Sequence, residues 1–306
     1  MSELKNIFER ICSQALKIND GTLARYIPEL ANVNPEQFAI AAMTVEGECI
    51  SYGDDKSLFT LQSTSKPFTY GFALEERGEE LVHSKIGVEP SGEAFDSIIE
   101  LEKKTHRPFN PMINSGAIAI ASMIQDKANN VREERVLNLF SELAGRQLDF
   151  NRDVFLSEKK TAHRNRAIAH LLRHFEVIGD DIEESLDLYF KQCSINSNVK
   201  DLAAMAATLA NNGVQPSSKK RIYTEENTTR MISLMFSCGM YDSVGTWAYT
   251  VGIPAKSGVS GAIFGVVPGK MGIACFSPLI DSHGHSLKGV YAIRELTKQL
   301  GMNIFK

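Results

Sequence analysis

Apolar residues recur at helical spacing from Ile7 through Ile11, Ala15, Leu16 and Ile18, which predicts an amphipathic helix closed by Asn19-Asp20-Gly21. Tyr26-Ile27-Pro28-Glu29-Leu30 reads as a loop. The period then changes. Phe38 to Val45 is an apolar run of strand length, Glu46-Gly47 a turn, and Glu48 to Tyr52 its hairpin partner. Phe59 to Gln62 returns toward a turn at Ser63. From about Gly78 to Gly239 helical spacing dominates, and the predicted apolar helices are Ala117 to Lys127, Val136 to Leu143, Ala167 to Phe175, Ile182 to Phe190, Val199 to Ala210 and Thr228 to Phe236. Gly145, Gly179-Asp180 and Asn211-Asn212-Gly213 mark stops. Strand character comes back late. Ala255 to Gly258 leads into Ala262 to Val267, Pro268-Gly269-Lys270 turns, and Met271 to Phe276 follows before a last helix, Leu287 to Leu300.

Hairpins give antiparallel pairs, so the two ends of the chain should build one antiparallel sheet flanked by terminal helices, with an all-helical insertion between them. That is an α+β fold. The predicted division is a discontinuous sheet domain, residues 1–77 with 240–306, and a helical domain, residues 78–239, with the active site in the cleft between them. A chain of 306 residues buries a sizeable core.

Composition narrows the function classes more than it selects one. Hydrophobic residues make up 43% and charged residues 23%, ordinary values for a globular protein. A net charge of -4 and the lack of a basic stripe give no reason to expect nucleic acid. Arg164, Arg166 and Arg173 alternate with an apolar helix face and read as its solvated side. The five cysteines are odd in number without C-x-x-C spacing, which predicts free and mostly buried thiols. The first residues begin an amphipathic helix, not a signal peptide, and no apolar run is long enough to cross a membrane, so the expected compartment is the cytoplasm. His163, His170 and His174 lie on one helical stretch without an H-E-x-x-H, and His283 and His285 flank a glycine in a turn; none reads as a metal ligand. With no phosphate-binding glycine motif either, no cofactor and no metal is expected.

The chemistry concentrates at Leu61-Gln62-Ser63-Thr64-Ser65-Lys66-Pro67, where a strand-like run turns into a helix. Ser63 and Lys66 are three apart and share a helix face, and a serine oxygen beside an unprotonated amine is an activated nucleophile. The spacing S-x-x-K occurs five times in the chain, so spacing alone carries little. Ser197, for example, has a structural role available as the cap of the helix Val199 to Ala210. Context singles out Ser63. Pro67 is tolerated only in the first helical turn, which sets the helix start near Ser63 or Thr64 and places the hydroxyl at the positive end of the helix dipole. The second group is Lys256-Ser257-Gly258. An S-x-x-K at a helix entry followed by a late K-T-G marks serine β-lactamases and penicillin-binding proteins, and K-S-G keeps that chemistry. The glycine lets a sheet-edge backbone approach a ligand, and the N–H of Val259 is placed to join that of Ser63 in holding an oxyanion.

Gln62-Ser63-Thr64-Ser65-Lys66, Pro111 to Ala117, Ser157-Glu158, Asn165-Arg166-Ala167, Ser237 to Tyr241 and Pro254 to Val259 resemble the block motifs of glutaminases built on the serine β-lactamase fold. The similarity runs over nearly the whole chain, with the blocks in order. It implies hydrolysis of L-glutamine to L-glutamate and ammonia by a soluble homo-oligomer, a dimer or a tetramer. It implies that Ser63 is the nucleophile and Lys66 its partner, with Asn114, Glu158, Asn165, Tyr189, Tyr241 and the backbone of Val259 around the substrate.

These residue types suit that substrate. Glu158 is a natural acceptor for an α-ammonium, although beside Lys159-Lys160 it also reads as part of a solvated helix. Asn114 and Asn165 offer donors to a carboxylate and acceptors to an ammonium, and Asn114 has a competing role as the cap of a helix beginning at Ser115 or Gly116. Tyr189 and Tyr241 are phenols able to bond substrate or Ser63, where a core position is the ordinary alternative. The general base stays open between Lys66, deprotonated by burial beside Lys256, and Tyr241 as a relay. Two other readings stand beside this one. A penicillin-interacting enzyme needs export and a middle S-x-N or Y-x-N motif, for which Ser194-Ile195-Asn196 and Tyr241-Asp242-Ser243 are weak matches. A noncatalytic glutamine-binding module has no need of both lysines.

Overall fold

Side-chain alternation along the central strands decides what packs on each face of the molecule. The computed structural model describes residues 2–92, 96–102, 106–127 and 131–306. Among them the strands are β1 (Ala39–Thr44), β2 (Cys49–Gly53), β3 (Phe59–Thr60), β4 (Asn196–Ser197), β5 (Ala255–Ser257), β6 (Ala262–Val267) and β7 (Met271–Phe276). Five form one antiparallel sheet in the order β2-β1-β7-β6-β5. Ala41 on β1 faces Ser51 on β2 and Ala274 on β7, while Phe264 on β6 faces Ala274 and, on its other side, Lys256 on β5. The early hairpin and the late meander therefore close on each other, as the α+β reading predicts.

On the central strands successive side chains point to opposite faces. Ile40, Ala42, Ile263, Ile273 and Cys275 bury one face against Phe8, Ile11 and Cys12 of the helix Ser2–Ala15 and Ala292, Ile293 and Leu296 of the helix Leu287–Gln299. Ala39, Ala41, Phe264, Ala274 and Phe276 bury the other face against the helical part in one continuous apolar cluster. Each fully buried Ile or Phe side chain contributes about 1.5–3 kcal/mol. The helix Val199–Ala210 is apolar nearly all round because it lies against β1, β6 and β7 on one side and helices on the other. A Cβ added at Gly272 would lie within 2.5 Å of Ala203 O on that helix. Gly272→Ala is therefore expected to cost at least about 2 kcal/mol through forced separation of helix and sheet, seen as a lower urea midpoint; an unchanged midpoint would show that the two layers give way freely.

The predicted helices are present with shifted ends. Val136 to Leu143 grows to Arg132–Ala144, Ala167 to Phe175 becomes His163–His174, Ile182 to Phe190 extends to Cys193, and Thr228 to Phe236 widens to Glu225–Cys238. Ala117 to Lys127 is instead Asn114–Met123: Ile124 is extended and buried, and the polar residues after it turn outward, with Asp126 accepting Arg132 N–H at 2.7 Å. The first helix ends at Ala15, and the last at Gln299. The loop at Tyr26 contains one short turn of helix, Pro28–Ala31. Ser197 is not the cap of Val199–Ala210, because it lies in β4; Asn198 caps it, in a reciprocal box with Asp201. Cys12, Cys193, Cys238 and Cys275 are buried free thiols and Cys49 is exposed.

Two connections fix the place of the Ser63 turn. β3 pairs with β4, Phe59 opposite Ser197, and Leu61 N–H donates to Ile195 O at 3.0 Å. The chain entering Ser63 is thus held by the exit of the helix Ile182–Cys193, which carries Tyr189.

Candidate active site

Ser63 lies in a 3-10 turn, Gln62–Ser65, that runs directly into the helix Lys66–Arg77. The helix start is thus slightly later than Pro67 suggested, but the turn places Ser63 and Lys66 as the spacing predicts, with Lys66 N–H donating to Ser63 O. Gln62 has φ of 48°, a left-handed conformation rare outside glycine, and Ser65 Oγ donates to Gln62 O at 2.7 Å. Ser63 is half-buried, and a side-chain hydrogen bond joins it to Tyr241.

Gly258, at the end of β5, rests on this turn. A Cβ there would sit 3.1 Å from Leu61 O and 3.4 Å from Thr64 N, so the Lys256-Ser257-Gly258 strand end and the nucleophile turn touch. Val259 follows and lines a cavity of about 310 Å³ together with Ser63, Asn114, Glu158, Asn165 and Tyr189. Six predicted residues thus surround one space. Lys66 bonds to Asn114 and Tyr241 to Ser63, while Lys256 stands behind them against the Tyr241 ring. Ser257 is not brought there: it is fully buried and pairs with His285.

Asn114 is a junction. Its Oδ1 accepts Lys66 Nζ at 2.7 Å and Tyr189 OH at 3.2 Å, and its Nδ2 donates to Asn165 Oδ1 at 3.0 Å. It is the first residue of its helix and not the cap, a position taken by Ile113. Glu158 is not a solvated helix residue. On the helix Arg152–Thr161 only Val154 and Glu158 are buried, one turn apart, and Glu158 accepts Tyr26 OH at 2.7 Å and a further hydrogen bond from Gln62. Tyr26 and Cys193 also line the cavity, and sequence reasoning passed over both. Tyr26 sits in what reads as a loop, and a lone buried cysteine carries no pattern. His285, read as flanking a glycine in a turn, is buried, whereas His163, His170 and His174 are exposed. Among the described residues no group of three His, Cys, Asp or Glu side chains is placed to hold a metal.

Burial dominates the electrostatics. It pushes the Lys66 amine down to about 8. Lys256 falls well below an ordinary lysine, through burial first and the charge of Lys66 second. Its Nζ donates to Ser257 O at 2.8 Å and lies 3.9 Å from the centre of the Tyr241 ring. Burial raises the Tyr241 phenol, with the Ser63 hydrogen bond pulling the other way. Burial also raises the Glu158 carboxyl above its usual value, against the bonds from Tyr26 and Gln62. The Cys193 thiol, pushed up to about 12 by burial, is no nucleophile at neutral pH. The arrangement provides an activated hydroxyl at one part of the cavity and a desolvated carboxylate at another, with amide and phenol groups between. It suits a small zwitterion carrying an acyl group.

The Glutaminase family model matches residues 21–305. The glutaminase of Trichormus variabilis is 48% identical over 305 residues, covering 100% of this chain and 91% of that protein. That of Microcystis aeruginosa is 49% identical over 288 residues, covering 94% of this chain and 85% of the other. Among solved structures, the probable glutaminase YbaS superposes with a TM-score of 0.96 at 41% identity, over 100% of this chain and 99% of that one. Mglu in its glutamate form gives 0.91 at 41% identity, over 96% and 68%.

Proposed function

The chain belongs to the glutaminase family and hydrolyses L-glutamine to L-glutamate and ammonia, and we propose that it does so through a glutamyl ester on Ser63. The fold is β-lactamase-like. The observation that carries the proposal is the hydrogen bond between Tyr241 and Ser63, on a turn that also holds the desolvated Lys66.

Ser63 Oγ attacks the γ-carbonyl carbon, and its proton passes to the Lys66–Tyr241 unit. Lys66 supplies the basicity, because burial brings its amine to about 8. Tyr241, whose phenol burial keeps protonated, relays the proton to the leaving nitrogen. The C–N bond breaks and ammonia departs. Water then attacks the ester carbon, returns a proton to Ser63 and releases glutamate. The N–H groups of Ser63 and Val259 hold the developing oxyanion, a role supported by the contact of Gly258 with the serine turn. Glu158 takes the substrate ammonium, and Asn114, Asn165 and Tyr189 its carboxylate; the hydrogen-bond chain linking the last three supports this.

Around this site we place a division into a sheet part, residues 1–77 with 240–306, and a helical part, residues 78–239. A cytoplasmic homo-oligomer, dimer or tetramer, without nucleic acid, is the assembly proposed; among the described residues no helix is long and apolar enough to cross a membrane. The penicillin-interacting reading gains nothing from Ser194, which is buried and donates to Phe190 O at 2.7 Å.

Rapid quenching of the enzyme with glutamine should trap a glutamyl adduct on Ser63 by mass spectrometry. An active enzyme with no adduct at any time would favour direct attack by water. The pH profile tests the base separately. At pH 7 about one Lys66 in ten is neutral and at pH 8 about half, so kcat/KM should rise roughly fivefold over that interval and level off above pH 9. A flat profile from pH 6 to 9 would remove Lys66 as the base.

A further inference from the structure

Next to Tyr241 lies a serine–histidine contact that the proposed chemistry does not use. His285 is 2% exposed, and its Nδ1 sits 2.7 Å from Ser257 Oγ. Ser257 has no exposed surface and does not line the cavity, so the pair is not another nucleophile with its base. The imidazole instead lies nearly parallel to the Tyr241 ring, with 11° between planes and 6.1 Å between centroids, within the range of offset-stacked aromatic pairs.

Tyr241 opens a three-residue turn, Tyr241–Ser243, and its φ of 52° is one that non-glycine residues rarely adopt, while Lys256 Nζ lies against its ring. His285 is fixed from several sides. Its N–H donates to Asp281 Oδ1 and its carbonyl accepts Asp281 N–H, both at 2.9 Å, and Ser286 caps the helix Leu287–Gln299 immediately after it. Burial holds the imidazole down to about 4; the charges of Lys256 and His283 push the same way, and Asp281 and Asp242 oppose them. The ring is therefore uncharged at neutral pH and adds no positive charge beside the two lysines.

We propose that His285 is a positioning residue for the hydrolysis: clasped by Ser257, it holds the Tyr241 ring where the phenol meets Ser63. This rests on the reading of Tyr241 as the partner of Ser63 in the acyl chemistry. The test measures kcat and KM for glutamine, with Tm, in His285→Ala, His285→Phe and His285→Asn, and in Tyr241→Phe with and without His285→Ala. His285→Ala and His285→Asn should lose about 10- to 100-fold in kcat with KM changed by less than about threefold. His285→Phe keeps a ring in the stack and should stay within about threefold of wild type. In the Tyr241→Phe background, His285→Ala should cost less than about twofold, because its effect travels through the phenol. Additive losses in the double variant, or a rise in KM with kcat intact, would overturn the proposal. So would equal losses from Phe and Asn, a comparison that stands even if the alanine variant does not fold. Wild-type kcat in Tyr241→Phe alone would instead sink the reading of Tyr241, and the proposal with it.

Discussion

Ser63→Ala is expected to lower kcat for ammonia release from glutamine by at least about 10,000-fold, the scale seen when a serine nucleophile is removed from its unit. The change deletes one oxygen from a half-buried side chain on a turn pinned by backbone bonds from Leu61 to Ile195 and from Thr64 to Leu61. Folding should therefore survive, with Tm near wild type and glutamine still bound in equilibrium dialysis. Binding without turnover is the signature. Turnover close to wild type would mean that some other group performs the attack, since no lesser role of this hydroxyl accounts for the remaining rate.

Glu158→Gln should have the second largest effect. Gln keeps the size of the side chain and an oxygen for the Tyr26 hydroxyl, but it removes the charge proposed to meet the substrate ammonium. Loss of one buried charge-assisted contact costs about 2–5 kcal/mol, so kcat/KM should fall by roughly 30- to 5,000-fold, mostly through KM. The same carboxylate is desolvated, and burial raises its carboxyl above the usual value. Relieving that cost should leave Tm unchanged or raise it, as happens when a functional strain is removed. A drop in Tm with KM unaltered would assign Glu158 to structure, against its place in the cavity lining.

What the sequence made legible was local or periodic. Ser63 and Lys66 are three residues apart, and one turn of backbone brings them together wherever the rest of the chain goes. Strands β1, β2, β6 and β7 announce themselves by apolar runs between turn residues. The long-range groups announce nothing. Glu158 sits on a helix with one buried apolar partner, Val154, too thin a stripe to separate from a solvated face. Tyr26 meets Glu158 across 132 residues of chain, from a segment whose own pattern is that of a connection. Cap assignments failed by one residue at Asn114 and Ser197 because the cap depends on the dihedrals of a single peptide unit, which neighbouring polar residues do not specify. His285 looked like a turn histidine, and only the path of β5 beside it reveals a buried ring.

The β1–β7 pairing also has a temporal consequence. During synthesis β1 emerges long before its second neighbour, β7, and such distant partners assemble slowly. The serine turn is completed by Gly258, which comes from that same late stretch. A nascent chain still short of Gly258 therefore carries the serine turn without the strand end that closes on it, and under the proposed mechanism it is inert toward glutamine.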